Sequence, residues 1–155
     1  MNRDAFKDLD DWFVLKNRKP LIIRGARQVG KTSLVRMLAQ QREQQLVEIN
    51  FDLHPGKADL FASRDIKQIL RLLEVDLETD IVPGKTLLFL DEIQAAPEVI
   101  PLLRYFYEQI PALHVIAAGS LLEFILAEHN FSMPVGRIEY LFLGPMNFME
   151  FLEAN

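Results

Sequence analysis

The residues Gly25-Ala26-Arg27-Gln28-Val29-Gly30-Lys31-Thr32 match the pattern G-x-x-x-x-G-K-[ST] at every fixed position. The apolar run 21–23 before them predicts a buried strand, and apolar residues at helical spacing over 34–38 predict a helix after them. A glycine turn with a chance lysine is the alternative, and the flanking strand and helix argue against it. The predicted phosphate-binding residues are Gly25, Ala26, Arg27, Gln28, Val29, Gly30, Lys31, Thr32 and Ser33.

The chemistry of this loop predicts a role for each type of residue in it. Gly25 and Gly30 can adopt positive φ and let the backbone N–H groups approach the phosphates closely. Lys31 is expected to reach the β- and γ-phosphates, and Thr32 to place its hydroxyl on Mg²⁺. Arg27 is more often a solvated loop side chain than a phosphate contact. The loop therefore predicts a bound triphosphate with Mg²⁺.

Two acidic residues, Asp91 and Glu92, end the apolar run 86–90, which is typical of a central parallel strand. Ligands of open α/β sheets collect at the carboxyl ends of the strands. Asp91 is therefore expected to meet the Mg²⁺ that Thr32 holds, and Glu92 to act as a general base on the attacking water. The alternative is that both acids cap the following turn.

Three further polar residues are candidates for the same site. Ser120 follows the apolar run 114–118 and either donates to the γ-phosphate or lytic water, or caps the next helix. Asn50 either holds Glu92 in an unproductive position or makes ordinary strand-end hydrogen bonds. Arg137 either neutralises developing charge as an arginine finger, in its own chain or on a neighbour, or is a solvated turn residue.

Strands and helices alternate along the chain. Helices are predicted over 6–13, 34–38, 66–73, 98–110, 121–129 and 147–153, and strands over 21–23, 46–51, 86–90, 114–118 and 138–143. This alternation predicts an α/β fold in which a parallel sheet carries helices on both faces.

Composition excludes several classes of function. The 155 residues include no Cys, which excludes thiolate zinc sites, disulfide frameworks and cysteine nucleophiles. Lys and Arg number 17 against 22 Asp and Glu, a net charge of −5 that makes nucleic acid an unlikely partner and favours a small anionic ligand. An Asn-Lys-x-Asp guanine reader is absent from the sequence, which favours adenine.

The first residues lack a secretory signal and no apolar run is long enough to cross a membrane, so a cytoplasmic location is expected.

Four motifs in order resemble one family, the prokaryotic AAA-type ATPases that usually carry a C-terminal domain of unknown function. The motifs are the segments 24–32, 89–94, 118–120 and 136–137, followed by the tail 144–151. The resemblance implies a P-loop NTPase core of five parallel strands, with the Ser120 strand between the phosphate-loop strand and the Asp91 strand. It also implies ATP binding by residues 30–32, Mg²⁺ binding and water activation by Asp91 and Glu92, and a sensor role for Ser120.

The sequence differs from that family in its length. We expect residues 1–155 to form a single ATPase core domain with an N-terminal helix over 1–18, without the lid and further domain of the family. The apolar residues of 140–152 are expected to mediate self-association or contact with a protein partner. The leading hypothesis is an ATPase that drives a conformational change. A nucleotide-binding switch with negligible hydrolysis is the alternative, and a small-molecule phosphotransferase is a weaker one.

Overall fold

A computed structural model describes residues 4–122, 125, 127, 136–147, 149, 150 and 152. Its centre is a five-stranded sheet in which all neighbouring strands are parallel. The strands are β1 (Leu21–Arg24), β2 (Gln45–Asn50), β3 (Thr86–Asp91), β4 (His114–Gly119) and β5 (Glu139–Phe142). Their order across the sheet is β2-β3-β4-β1-β5. The predicted fold class is confirmed, including the position of the strand that leads to Ser120.

Helices cover the sheet and connect its strands. The α-helices are α1 (Asp4–Phe13), α2 (Lys31–Gln41), α3 (Ile66–Leu77) and α4 (Leu103–Gln109), and 3-10 helices cover Pro55–Phe61, Ile93–Ala95 and Pro97–Leu102. The carboxylate of Asp65 accepts a hydrogen bond from the backbone N–H of Lys67 and caps α3.

Alternate residues of a strand face opposite sides of the sheet, and the sheet therefore has two apolar clusters. Ile22 of β1 belongs to the cluster that packs against α3 and α4. Its neighbour Ile23 belongs to the cluster that packs against α1 and α2. Every residue of β3 and β4 is buried, which explains why their sequences are apolar without alternation.

Two predicted helices differ from the observed ones. The single helix predicted over 98–110 is a 3-10 helix over Pro97–Leu102 followed by α4. Pro101 lies inside the first part and lacks the N–H that an α-helix would need there. The N-terminal helix ends at Phe13, as the apolar spacing over 6–13 predicted, and is shorter than the helix over 1–18 that was also expected. The indole N–H of Trp12 donates to the carbonyl of Lys19, 2.8 Å away, across the turn into β1. Of the helices predicted over 121–129 and 147–153, the structure describes only residues 121, 122, 125, 127, 147, 149, 150 and 152.

Candidate functional site

The predicted phosphate loop, residues 25–32, runs from β1 into the start of α2 at the carboxyl edge of the sheet. Gly30 is the N-cap of α2 and adopts φ 96°, which a glycine tolerates without steric cost. Gly25 does not adopt positive φ, and the second positive φ of the loop is at Gln28 (63°). Gly25 is instead required for close packing. A Cβ atom there would collide with the carbonyl oxygen of Leu143, whose N–H donates to the carbonyl of Arg24 at 2.7 Å.

The ammonium group of Lys31 lies inside this loop. It donates to the carbonyl oxygens of Gly25 at 2.9 Å and Ala26 at 2.6 Å, and the residue is only 7% exposed. Burial lowers the pKa of Lys31, while the carboxylates of Glu92 and Asp91 oppose that shift. A buried ammonium that can exchange carbonyl partners for phosphate oxygens is suited to anion binding.

Thr32, at the start of α2, and Asp91, at the end of β3, are in direct contact. The Thr32 hydroxyl donates to Oδ2 of Asp91 at 2.7 Å, and the backbone N–H of Glu92 donates to Oδ1 at 2.9 Å. Asp91 is 2% exposed, and its burial raises the pKa of the carboxyl group against the opposing effect of these two hydrogen bonds. A hydroxyl and a buried carboxylate oxygen side by side fit Mg²⁺, which prefers oxygen ligands and is usually held by one or two protein groups plus phosphates.

Glu92 directly follows β3 and adopts the left-handed conformation, with φ 53° and ψ 46°. Its Oε2 accepts a hydrogen bond from the side-chain N–H of Gln94. The side-chain oxygen of Gln94 accepts from the backbone N–H of Ser120 at 3.3 Å. Gln94 therefore links the carboxylate of Glu92 to the end of β4. We did not single out Gln94 from the sequence, although its position two residues after Glu92 was a signal that could have identified it.

Ser120 is 1% exposed, and its Oγ has no hydrogen-bond partner among the described residues. The capping interaction considered as an alternative is therefore not formed within that part of the chain. Register pairs Gly119 with Arg24, so Ser120 lies level with Gly25 at the start of the phosphate loop. An unpartnered buried hydroxyl beside the loop is available to a ligand.

Two other candidates, Asn50 and Arg137, make their hydrogen bonds outside this cluster, although register places Asn50 beside Asp91. Asn50 accepts from the backbone N–H groups of Asp52 and Leu53 at 2.9 and 3.0 Å, which is the ordinary strand-end arrangement. Arg137 precedes β5 and so lies at the amino edge of the sheet, where its Nε donates to Glu108 at 3.3 Å. An arginine finger acting within its own chain is not formed in this structure, because the phosphate loop lies at the opposite edge. The remaining loop side chains Arg27 and Ser33 are exposed.

Comparison with known proteins identifies the family of the chain. A family model described as an AAA domain matches residues 17–152. A search of curated proteins found no match to this chain. Within the part of the chain that the structure describes, none of the helices combines the length and apolar character needed to span a membrane. The matched range covers most of the chain, which therefore belongs to this AAA domain family as an AAA-like nucleotide-binding domain.

Proposed function

We propose that the chain binds ATP with Mg²⁺ and hydrolyses it, and that the cycle drives a conformational change in a partner or an attached domain. The observation that carries this proposal is the 2.7 Å hydrogen bond between Thr32 and Asp91, which joins the end of the phosphate loop to the end of β3. Family membership supports nucleotide binding, and this contact supports a metal-assisted reaction at the same place.

Binding would depend on the loop and the start of α2. The N–H groups that open α2, together with the partial positive charge of its N-terminus, would hold phosphate oxygens. The ammonium of Lys31, now on two loop carbonyls, would move to the β- and γ-phosphates. Bound Mg²⁺ would neutralise charge on those phosphates. Thr32 and Asp91 are the residues that would hold it.

Hydrolysis would depend on Glu92 and Ser120. The carboxylate of Glu92 lies one residue beyond the metal-binding Asp91, so it would face a water positioned for attack on the γ-phosphate. The unpartnered hydroxyl of Ser120 would donate to that water or to a phosphate oxygen. Both residues follow the carboxyl ends of adjacent strands, which supports their acting on one reacting group.

A second candidate function is a nucleotide-binding switch with negligible hydrolysis. The observation that favours it is the position of Arg137, which is paired with Glu108 at the amino edge of the sheet and cannot reach the loop of its own chain. A neighbouring copy or a partner would then supply the missing positive charge. Exposed apolar side chains provide a surface for such an association: Tyr140, Phe142, Met149 and Leu152.

The test is steady-state ATP hydrolysis with Mg²⁺ over a range of protein concentrations, with Glu92→Gln as the blank. We expect turnover that rises faster than linearly with protein, because a second copy completes the site. We expect the blank to bind ATP without turnover. Wild-type binding without turnover at every concentration would favour the switch. Full turnover by Glu92→Gln would refute the role of Glu92 as a base, and a wild-type chain that binds no nucleotide would refute both functions.

A further inference from the structure

We infer that Gln94 is a positioning residue that fixes the carboxylate of Glu92 relative to the end of β4. The carboxylate of Glu92 and the hydroxyl of Ser120 can then contact the same water. The inference rests on the proposed function and deepens it. Gln94 is the side chain that contacts both partners, since its N–H group donates to Oε2 of Glu92 and its oxygen accepts from the N–H of Ser120.

The backbone around Gln94 restricts its movement. It lies in the 3-10 turn Ile93–Ala95, in which the N–H of Ala95 donates to the carbonyl of Glu92 at 3.0 Å. Ile93 is completely buried and anchors that turn in the core. The left-handed backbone of Glu92, which is unfavourable for a residue with a side chain, is retained because the surroundings determine it. The amide of Gln94 is thus presented from a rigid turn.

The end of β4 is shaped to admit this amide. A Cβ atom at Gly119 would lie 2.7 Å from the side-chain oxygen of Gln94, closer than ordinary packing allows. Glycine at this position therefore leaves the space that Gln94 occupies. The contact between Gln94 and β4 therefore depends on the glycine at position 119 as well as on the side chain of Gln94.

The hydrogen-bond chemistry suits a residue that orients a base without replacing it. An uncharged amide donates to Oε2 of Glu92 and cannot take the proton that a general base removes from water. The other oxygen, Oε1, is left to accept from water. Ser120 is held through its backbone N–H, which leaves its buried hydroxyl available to the same water. Loss of the amide is expected to misplace the base and to leave nucleotide binding intact.

Two substitutions separate positioning from packing. Gln94→Met retains the length of the side chain and removes both hydrogen bonds. Gly119→Ala retains the Gln94 side chain and places a Cβ against its oxygen, and also 3.1 Å from Leu122 and 3.2 Å from Ile93. It provides a second test if the first variant does not fold. Gln109→Met is the matched control, because Gln109 also bridges two backbone groups, the N–H of Ile66 and the carbonyl of Arg64, each at 2.9 Å, far from the loop.

The measurements are the affinities for ADP and for ADP with aluminium fluoride, which mimics the transferred phosphoryl group, together with kcat and KM for ATP. We expect Gln94→Met and Gly119→Ala to weaken binding of the aluminium fluoride complex by about ten- to hundredfold and to lower kcat similarly. Affinity for ADP and KM should stay within about twofold of wild type. Gln109→Met should lower thermal stability and leave all four values unchanged.

Equal loss of affinity for both ligands would overturn the inference, since Gln94 would then support the loop as a whole. Wild-type values or a raised kcat in the Gln94→Met and Gly119→Ala variants would also overturn it. A wild-type chain that binds ADP but shows no turnover refutes hydrolysis alone, and the aluminium fluoride measurement then decides the role of Gln94. A wild-type chain that binds neither ligand refutes the proposed function and this inference with it.

Discussion

His114, the first residue of β4, is expected to make the stability of the fold depend on pH. Its ring stacks on Phe13 with centroids 4.0 Å apart, and its Nε2 lies 3.1 Å from the carbonyl of Phe13. A carbonyl can only accept, so this contact requires Nε2–H. Nδ1 is buried without a partner among the described residues. Burial, and secondarily the nearby Arg18, lowers the pKa of His114 from 6.5 to about 4.

The size and sign of the effect follow from this shift. Below pH 6.5 the unfolded chain binds a proton at His114, whereas the folded chain does not until the pH approaches 4. The free energy of unfolding therefore falls as the pH falls through this window. At pH 5 the loss from this group is about 2 kcal/mol relative to pH 7.5, which is a large part of the stability of a typical domain.

Denaturant unfolding of wild type and His114→Gln at pH 7.5, 6 and 5 measures this effect. The variant loses the stacking contact and is therefore less stable than wild type at every pH where His114 is neutral. The informative quantity is the difference in free energy of unfolding between wild type and variant, and how that difference changes with pH. That difference should shrink by about 2 kcal/mol between pH 7.5 and pH 5. His54→Gln, which removes an exposed histidine, should follow wild type. A difference that stays constant within about 0.5 kcal/mol would refute the reasoning.

Three further substitutions test the site. Lys31→Ala should weaken ATP binding by about ten- to hundredfold, because it removes charge-assisted hydrogen bonds to phosphate, as measured by titration with a fluorescent nucleotide. Gly25→Ala should lower the free energy of unfolding by about 1–3 kcal/mol in denaturant melts, because its Cβ would meet the carbonyl of Leu143. Arg137→Ala should leave ATP affinity unchanged in the same titration, because Arg137 lies at the opposite edge of the sheet from the loop.

Each of these expectations has a result that would contradict it. Unchanged ATP affinity in Lys31→Ala would remove the loop from the binding site. Wild-type stability in Gly25→Ala would mean that the segment around Leu143 moves away at little cost. A large loss of ATP affinity in Arg137→Ala, at protein concentrations too low for association, would mean that Arg137 approaches the loop in solution.

The fold was largely predictable because its signals are local. A strand buried on both faces is mostly apolar, and the apolar runs over 86–90 and 114–118 therefore identified β3 and β4. The order of the strands came from the family resemblance. The helix over 98–110 was predicted from apolar spacing alone, and the effect of Pro101 within it was missed.

The candidate site was predictable where one motif supplies the chemistry and not where distant segments meet. The roles proposed for Lys31, Thr32 and Asp91 followed from a pattern and from the rule that ligands collect at strand ends. Gln94 was missed because its partners depend on a turn and on the neighbouring end of β4. Arg137 was considered for the site as an arginine finger, although its place just before the strand predicted over 138–143 already indicated the amino edge of a parallel sheet.

The sequence alone determined that a glycine-rich loop links a strand to a helix, and that two acids end a second strand, because both features depend on residues adjacent along the chain. The tertiary structure decided which side chains meet across the sheet. It placed Asp91 on the hydroxyl of Thr32, Gln94 between Glu92 and β4, and the carbonyl of Leu143 against Gly25. Such contacts depend on strand order and register. Hydrophobic periodicity indicates that a residue is buried but not which residue it packs against.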